Sequence, residues 1–229
     1  ELGNYNTCVR YIQSALNIDE LDKLSLIQEI HGSERWGVRQ LFQRNVNQTR
    51  VESEIVPYFS HQTKRKFFNP LTIAIIPIDN NRVKTTLKEK DQRSETIDSV
   101  DYNIIEAENY YKMNIDINAP EYSFVEWNKN KVKLVAIDGQ HRLNALKNIK
   151  STESIYDDDL FQETHNFSNW RIPVVLIIVE PPHGDVEYLE SIRSIFVTIN
   201  KNAKVPSRSQ LILLDDYSVN HICVQEFVD

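Results

Sequence analysis

Cysteine is nearly absent from the 229 residues: only Cys8 and Cys223 occur, near opposite ends and without a C-x-x-C spacing. That scarcity excludes a thiolate metal framework and predicts a reducing, cytoplasmic setting. Long apolar runs are missing too. None approaches the roughly 18 residues of a membrane span, so no membrane partner is expected. The sequence does not open on a basic-then-apolar leader pattern. His61, His165, His183 and His221 lack metal-ligand spacing. Neither a Walker nor a G-x-S-x-G motif occurs, which leaves a P-loop ATPase or a serine hydrolase without support. Positive charge is not in excess either. The 26 Lys and Arg against 33 Asp and Glu give a net charge of −7, which argues against nonspecific coating of nucleic acid. Local basic patches remain open to phosphate binding or to plain solvation; Lys64-Arg65-Lys66 with Arg82, Lys84, Lys88 and Lys90 is the most basic region.

What is present reads as a soluble globular chain, 41% apolar and 26% charged, long enough to bury a sizeable core. Val9, Ile12, Leu16, Leu21, Leu24 and Ile27 are spaced for one or two short helices over 8–30. Residues 50–60 predict another helix, with Val51, Ile55 and Tyr58 on one face and a disturbance at Pro57. PLTIAIIPI (70–78) and IPVVLIIV (172–179) predict buried strands. The polar stretch 87–103 reads as a loop or exposed insertion, and 151–170 as an acidic connection. Segments 122–127 and 131–137 flank an Asn-rich turn and predict a β-hairpin. A helix is expected over 186–198, interrupted by NKNAKVP (200–206), with a capping box at Ser207–Gln210 opening a last helix through Leu214. These elements predict an α+β (mixed α/β) fold with a small mixed sheet flanked by helices.

The chemistry concentrates in KLVAIDGQHRLNALKNI, residues 133–149. A strand ends at Ile137, Gly139 supplies a tight turn, and Leu143, Leu146 and Ile149 then anchor a helix. Asp138 is placed to cap that helix. The N–H groups near Gly139, Gln140 and His141 would face outward without intrahelical partners, which is the physical recipe for an anion site. Arg142 adds a planar, two-pronged donor suited to phosphate. Without an anion it would oppose the helix dipole by about 0.3–1 kcal/mol. The plainer alternative makes His141 a hydrogen-bonded packing residue and pairs Arg142 with an acid such as Asp138.

IDGQHRLNAL resembles the signature of the DGQHR-domain family, which includes the DndB proteins of DNA phosphorothioation. LFQRNVNQTRVESEIVPYF with FFNPLTIAIIP resembles the family's N-terminal block, and RSIFVTINKNAKVPSRSQLILLDD its C-terminal block. DGQHR domains are in turn similar to the ParB and sulfiredoxin group: Gly139, Arg142 and Ala145 fit the ParB G-x-x-R-x-x-A phosphate pattern, and Gly139 to Arg142 aligns with the sulfiredoxin G-C-H-R. Gln140 stands where sulfiredoxins carry their reactive cysteine, and an amide cannot act as that nucleophile.

The resemblance implies a ParB/sulfiredoxin-like domain over 41–229, preceded by a helical segment (1–40) packing on it and cut short at VQEFVD. It implies that ATP, GTP or another NTP, with Mg²⁺, is bound by Gly139, Gln140, His141 and Arg142. Asp138 and His141 would assist a slow hydrolysis. Asn200, Lys201, Asn202 and Lys204 are candidates for a second wall or a plain interhelical link. Arg44 and Arg50 are candidate phosphate contacts or surface ion pairs. Implied partners are the nucleotide, DNA, and other proteins of a DNA-modification or anti-phage defence operon. A DndB-like DNA-binding regulator without hydrolysis and a non-catalytic scaffold are the other classes. Asp157–Asp159 and Asp215-Asp216 are weaker candidates for Mg²⁺ or simple solvated acids.

Overall fold

The computed structural model describes residues 2–4, 7–29, 47–60, 67–80, 82–87, 91–153, 170–180 and 188–202. Its contacts divide the chain into residues 1–196 and 197–229; of the second unit only 197–202 are described.

In chain order the first unit contains β1 (Leu2–Asn4), β2 (Thr7–Asn17), a 3₁₀ turn (Ile18–Lys23), β3 (Leu24–Ser25) and a second 3₁₀ turn (Ile27–Glu29). A helical stretch over 48–60, α1, follows. It is α-helical at Gln48–Arg50 and Val56–Ser60, with a π turn at Val51–Ile55 between them. Then come β4 (Leu71–Asp79), β5 (Arg82–Val83), β6 (Asp91–Ile97), β7 (Val100–Ala107), β8 (Tyr111–Asp116), β9 (Phe124–Trp127) and β10 (Val132–Asp138). Helix α2 (Gln140–Glu153), β11 (Arg171–Val179) and helix α3 (Tyr188–Asn202) complete the described chain.

The strands form two sheets. The larger has the order β1-β2-β11-β4-β10-β3, with β5 on β4; the smaller is a meander, β6-β7-β8-β9. The larger sheet is mixed: β11 runs parallel to β4 and β3 parallel to β10, while β2–β11 and β4–β10 are antiparallel. The fold is therefore α+β, as the sequence predicts. The two apolar runs are β4 and β11, lying side by side in the sheet with Ile73, Ile75, Ile76, Ile178 and Val179 almost wholly buried. The two sheets are tied together by Tyr111 of β8, whose buried hydroxyl donates to the Val179 carbonyl at 2.6 Å. Tyr188 of α3 donates likewise to Ile75 of β4 at 2.7 Å. Tyr188, Ile192 and Phe196 recur every four residues on the buried face of α3.

Four sequence expectations are corrected. The helices expected over 8–30 are two strands, β2 and the short β3, and two 3₁₀ turns. Val9, Ile12 and Leu16 belong to β2, which pairs with β11 from Val9↔Val179 to Asn17↔Arg171. Ile18 and Leu21 of the first 3₁₀ turn, Leu24 of β3 and Ile27 of the second turn are all buried, and their spacing of three mimics helical spacing. The polar 87–103 stretch contains β6 and the start of β7. Their turn at Asp98-Ser99 has both residues at positive φ (48° and 67°), the twist that a tight hairpin needs. β6 is exposed over 92–96, so no apolar alternation announces it. The expected hairpin of 122–127 with 131–137 does not form. β9 pairs with β8 in the small sheet while β10 pairs with β4, because the apolar strand β4 takes β10 as its second neighbour. Finally, α3 continues through Asn202, so the interruption expected from 200 is absent over 200–202. Residues 203–214, with the predicted last helix, lie outside the described residues, as do 154–169.

The helix expected over 50–60 is present from 48. Asn47 caps it, its side-chain oxygen accepting from the Arg50 N–H at 3.1 Å. The π turn, closed by the Val56 N–H on the Val51 carbonyl, sits directly ahead of Pro57. Proline has no N–H to give and crowds the carbonyl four residues back, so the helix widens there.

Candidate functional site

The strand–turn–helix expected at 133–149 is present as β10, Gly139 and α2. Gly139 has φ +82°, and a Cβ on it would lie 2.7 Å from Leu71 Cδ2 and 3.0 Å from Arg142 Nη2. Both the backbone conformation and the space demand glycine. The register of β10 shifts between Ala136 and Asp138, a bulge that redirects the chain into the turn. The Gly139 carbonyl accepts the N–H of Leu143 at 2.9 Å, the first helical bond of α2. Leu143, Ala145 and Leu146 are fully buried and hold the helix to the body.

Antiparallel pairing of β10 with β4 sets Asp138 opposite Thr72, so the end of one strand lies beside the beginning of the other. Arg142, one turn into α2, reaches across this junction. Its Nη1 donates to the carbonyl of Asn69 and, at 3.4 Å, to that of Pro70; its Nη2 donates to Asp138 Oδ2 at 3.2 Å. The guanidinium also lies 5.6 Å from the centre of the Phe68 ring. Burial lowers its pKa, and the Asp138 carboxylate pushes in the opposite direction; a guanidinium stays charged throughout. Asp138 thus meets Arg142, while Gly139 takes the cap position for which Asp138 was expected.

His141 Nε2 accepts the backbone N–H of Asn47 at 3.0 Å. This requires an unprotonated Nε2 and joins the start of α1 to the start of α2. Arg50, on α1, is exposed and forms an i,i+4 ion pair with Glu54 at 3.3 Å. Gln140 is the half-buried first residue of α2.

The sequence profile of the DndB family, described as DNA-sulfur modification-associated, matches residues 5–229. The chain belongs to the DndB family. No curated protein and no solved structure matches it. DndB membership links the chain to DNA sulfur modification at the level of the family.

In this DndB-family chain the structure gathers Asp138, Gly139, Gln140, His141 and Arg142 at one junction, and Arg50 lies on the helix whose cap touches it. Asn200, Lys201 and Asn202 are the last three residues of α3, in the second unit. Arg44, Asp157–Asp159 and Asp215-Asp216 lie outside the described residues, as do Lys64–Lys66, Lys88 and Lys90. Lys84 is paired with Glu108 at 3.0 Å and lies over the Tyr110 ring. Trp170 packs edge-on against Phe59. Sequence reasoning missed Asn47, Phe68, Asn69 and Pro70. Asn47 carried a signal, since an Asn before an amphipathic run is a common helix cap. The carbonyls of Asn69 and Pro70 carried none, because any residue supplies them. Among the described residues no group of three or more His, Cys, Asp or Glu could hold a metal ion, and no helix is long and apolar enough to cross a membrane.

Proposed function

We propose that this DndB-family chain binds phosphate at the Gly139 turn, as part of a nucleoside triphosphate, in a ParB-like use of the DGQHR motif. The observation that carries this reading is the turn itself: a glycine at φ +82°, closed to any side chain, opening a 14-residue helix. The first-turn N–H groups of such a helix have no carbonyl within the helix to bond, and its dipole favours an anion. Asn47 and Arg50, at the start of α1, lie on the flank that His141 holds. In this reading Arg142 shapes the cradle by pinning Asn69 and Pro70, and its charge adds to the potential there. A divalent ion such as Mg²⁺ would be held largely by nucleotide oxygens and water, since Mg²⁺ keeps several waters in such sites.

The geometry favours binding over hydrolysis. His141 Nε2 already accepts from Asn47, so this nitrogen is not presented as a base toward an attacking water, and Asp138 spends one carboxylate oxygen on Arg142. The second reading, a DNA-binding regulator, is favoured by the family's association with DNA sulfur modification. The helix terminus would then meet a backbone phosphate. Other proteins of a DNA-modification or defence operon remain natural partners under either reading.

Calorimetric titration with ATP, GTP and CTP in the presence of Mg²⁺ tests the proposal, for the wild-type chain and Arg142→Ala, both checked for fold by circular dichroism. Saturable binding by the wild type is expected, with weaker binding by the variant. No heat with any nucleotide refutes it. DNA affinity that falls steeply with salt, without nucleotide binding, establishes the regulator instead.

A further inference from the structure

β1 pairs with β2 only at Thr7, Cys8 and Val9. Among the described residues nothing else pairs with that side of β2, although the strand continues to Asn17 and is bonded to β11 along its other side. Exposure agrees: Tyr11 is 53% exposed, and Gln13, Ser14 and Ala15 are all exposed. A cleft of about 610 Å³ lies beside Arg10–Gln13, bounded across by Met113, Ile115 and Phe124. Among the described residues the edge is therefore open to another strand.

An open edge is a row of unpaired N–H and C=O groups. Soluble proteins guard such rows with charge, proline or bulges. The open part of β2, Tyr11-Ile12-Gln13-Ser14-Ala15-Leu16-Asn17, has no charged residue, no proline and no glycine. Its pairing with β11 runs through nine consecutive residues without a register shift, so no bulge guards it either. Such a row is complementary to another polypeptide backbone.

We propose that the occupant is β2 of a second copy of this chain, paired antiparallel about a two-fold axis at Ser14. Outward-facing backbone groups belong to alternate residues, so residues opposite one another must be of the same parity. A two-fold pairing must therefore centre on a residue. Centring on Ser14 uses the whole of 11–17 and leaves β1 in place, whereas centring on Gln13 would reach Val9, which Leu2 already holds. The Ser14 register sets Ile12 against Leu16, Tyr11 against Asn17 and Gln13 against Ala15. Apolar meets apolar, and no like charges face each other. The result is one larger sheet continuous through both copies, with the same patch on each side. Seven residues a side is fewer than the roughly 20–30 of a standard interface, so the association is weak and concentration-dependent. It is independent of the phosphate reading, and a nucleotide titration does not bear on it.

Sedimentation velocity over about 1 to 200 μM, spanning a micromolar affinity, measures the dimer. Ser14→Lys places two cations opposite each other at the axis and is expected to return the chain to monomer with an unchanged circular dichroism spectrum. On a background with Cys8 and Cys223 replaced by Ser, Ser14→Cys is expected to form a disulfide-linked dimer under mild oxidation. Directly opposite residues have Cα atoms about 4.5–5.5 Å apart, within disulfide reach. Gln13→Cys lies diagonal to its symmetry mate at roughly 7–8 Å and should link far less. A chain that stays monomeric throughout with no Ser14→Cys link, a dimer that Ser14→Lys leaves intact, or equal linking at positions 13 and 14 overturns the proposal. The cysteine experiment decides the matter if Ser14→Lys does not fold.

Discussion

Arg142→Ala is the perturbation that most directly separates a side chain held by the protein from one waiting for a ligand. In the structure the guanidinium makes three kinds of contact: carbonyls of Asn69 and Pro70, the carboxylate of Asp138, and the face of Phe68. The two carbonyls share one nitrogen and belong to exposed residues, so water replaces much of what is lost. That contact contributes about 1 kcal/mol, the low side for a charged donor. The ion pair with Asp138 has side chains 23% and 44% exposed and is screened, contributing about 0.2–1 kcal/mol. The ring contact adds about 0.5–1 kcal/mol. The sum is a loss of about 1.5–3 kcal/mol, or roughly 3–12 °C in melting temperature for a chain of this size. Urea unfolding followed by far-UV circular dichroism, without nucleotide, measures it. Arg142→Lys keeps the charge but reaches one partner at a time, and should fall between the two. An Arg142→Ala chain within about 0.3 kcal/mol of wild type, or a lysine variant equal to arginine, would refute the reasoning: the fork would not be holding Asn69, Pro70 and Asp138 together.

Gly139→Ala combines a positive φ with a Cβ 2.7 Å from Leu71; a loss of about 2–5 kcal/mol is expected from backbone strain and overpacking, read from the urea midpoint. Tyr111→Phe removes the buried donor to the Val179 carbonyl and should cost about 1–2 kcal/mol, with hydrogen exchange rising in both β8 and β11. Acid stability follows from two glutamates. Glu20 is held below its ordinary value by the Asn17 backbone N–H and then by Lys23, and Glu126 by Lys112 and then by Asn114. A depressed carboxylate stabilises the fold fully above its ordinary value near 4.5 and loses that contribution as pH falls through its lowered folded value. Glu20→Gln with Glu126→Gln should therefore flatten the fall in urea midpoint below about pH 4.5; an unchanged acid limb would contradict the assignment.

The sequence by itself determined the parts governed by local chemistry. The apolar runs at 70–78 and 172–179 were legible as buried strands, because so many adjacent β-branched residues fit a strand buried on both faces. The glycine between a strand and an amphipathic helix had to be a turn, and the DGQHR letters carried the family. Only the tertiary structure decided the rest. Whether Val9, Ile12 and Leu16 formed a helix or a strand depended on β11, a partner over 150 residues away. Whether β10 joined β9 or β4 depended on which neighbour buried more. The candidate site shows the same division. Gly139 was legible because its backbone requirement is local. For His141 and Arg142 the plainer alternative named a hydrogen-bonded imidazole and the pairing of Arg142 with Asp138, and both are present; the backbone partners Asn47, Asn69 and Pro70 were not legible, because backbone groups are the same whatever the residue. Sheet register brings those groups to the turn, and it converts a neutral imidazole and a guanidinium at a helix start into the clasp that holds the turn's shape.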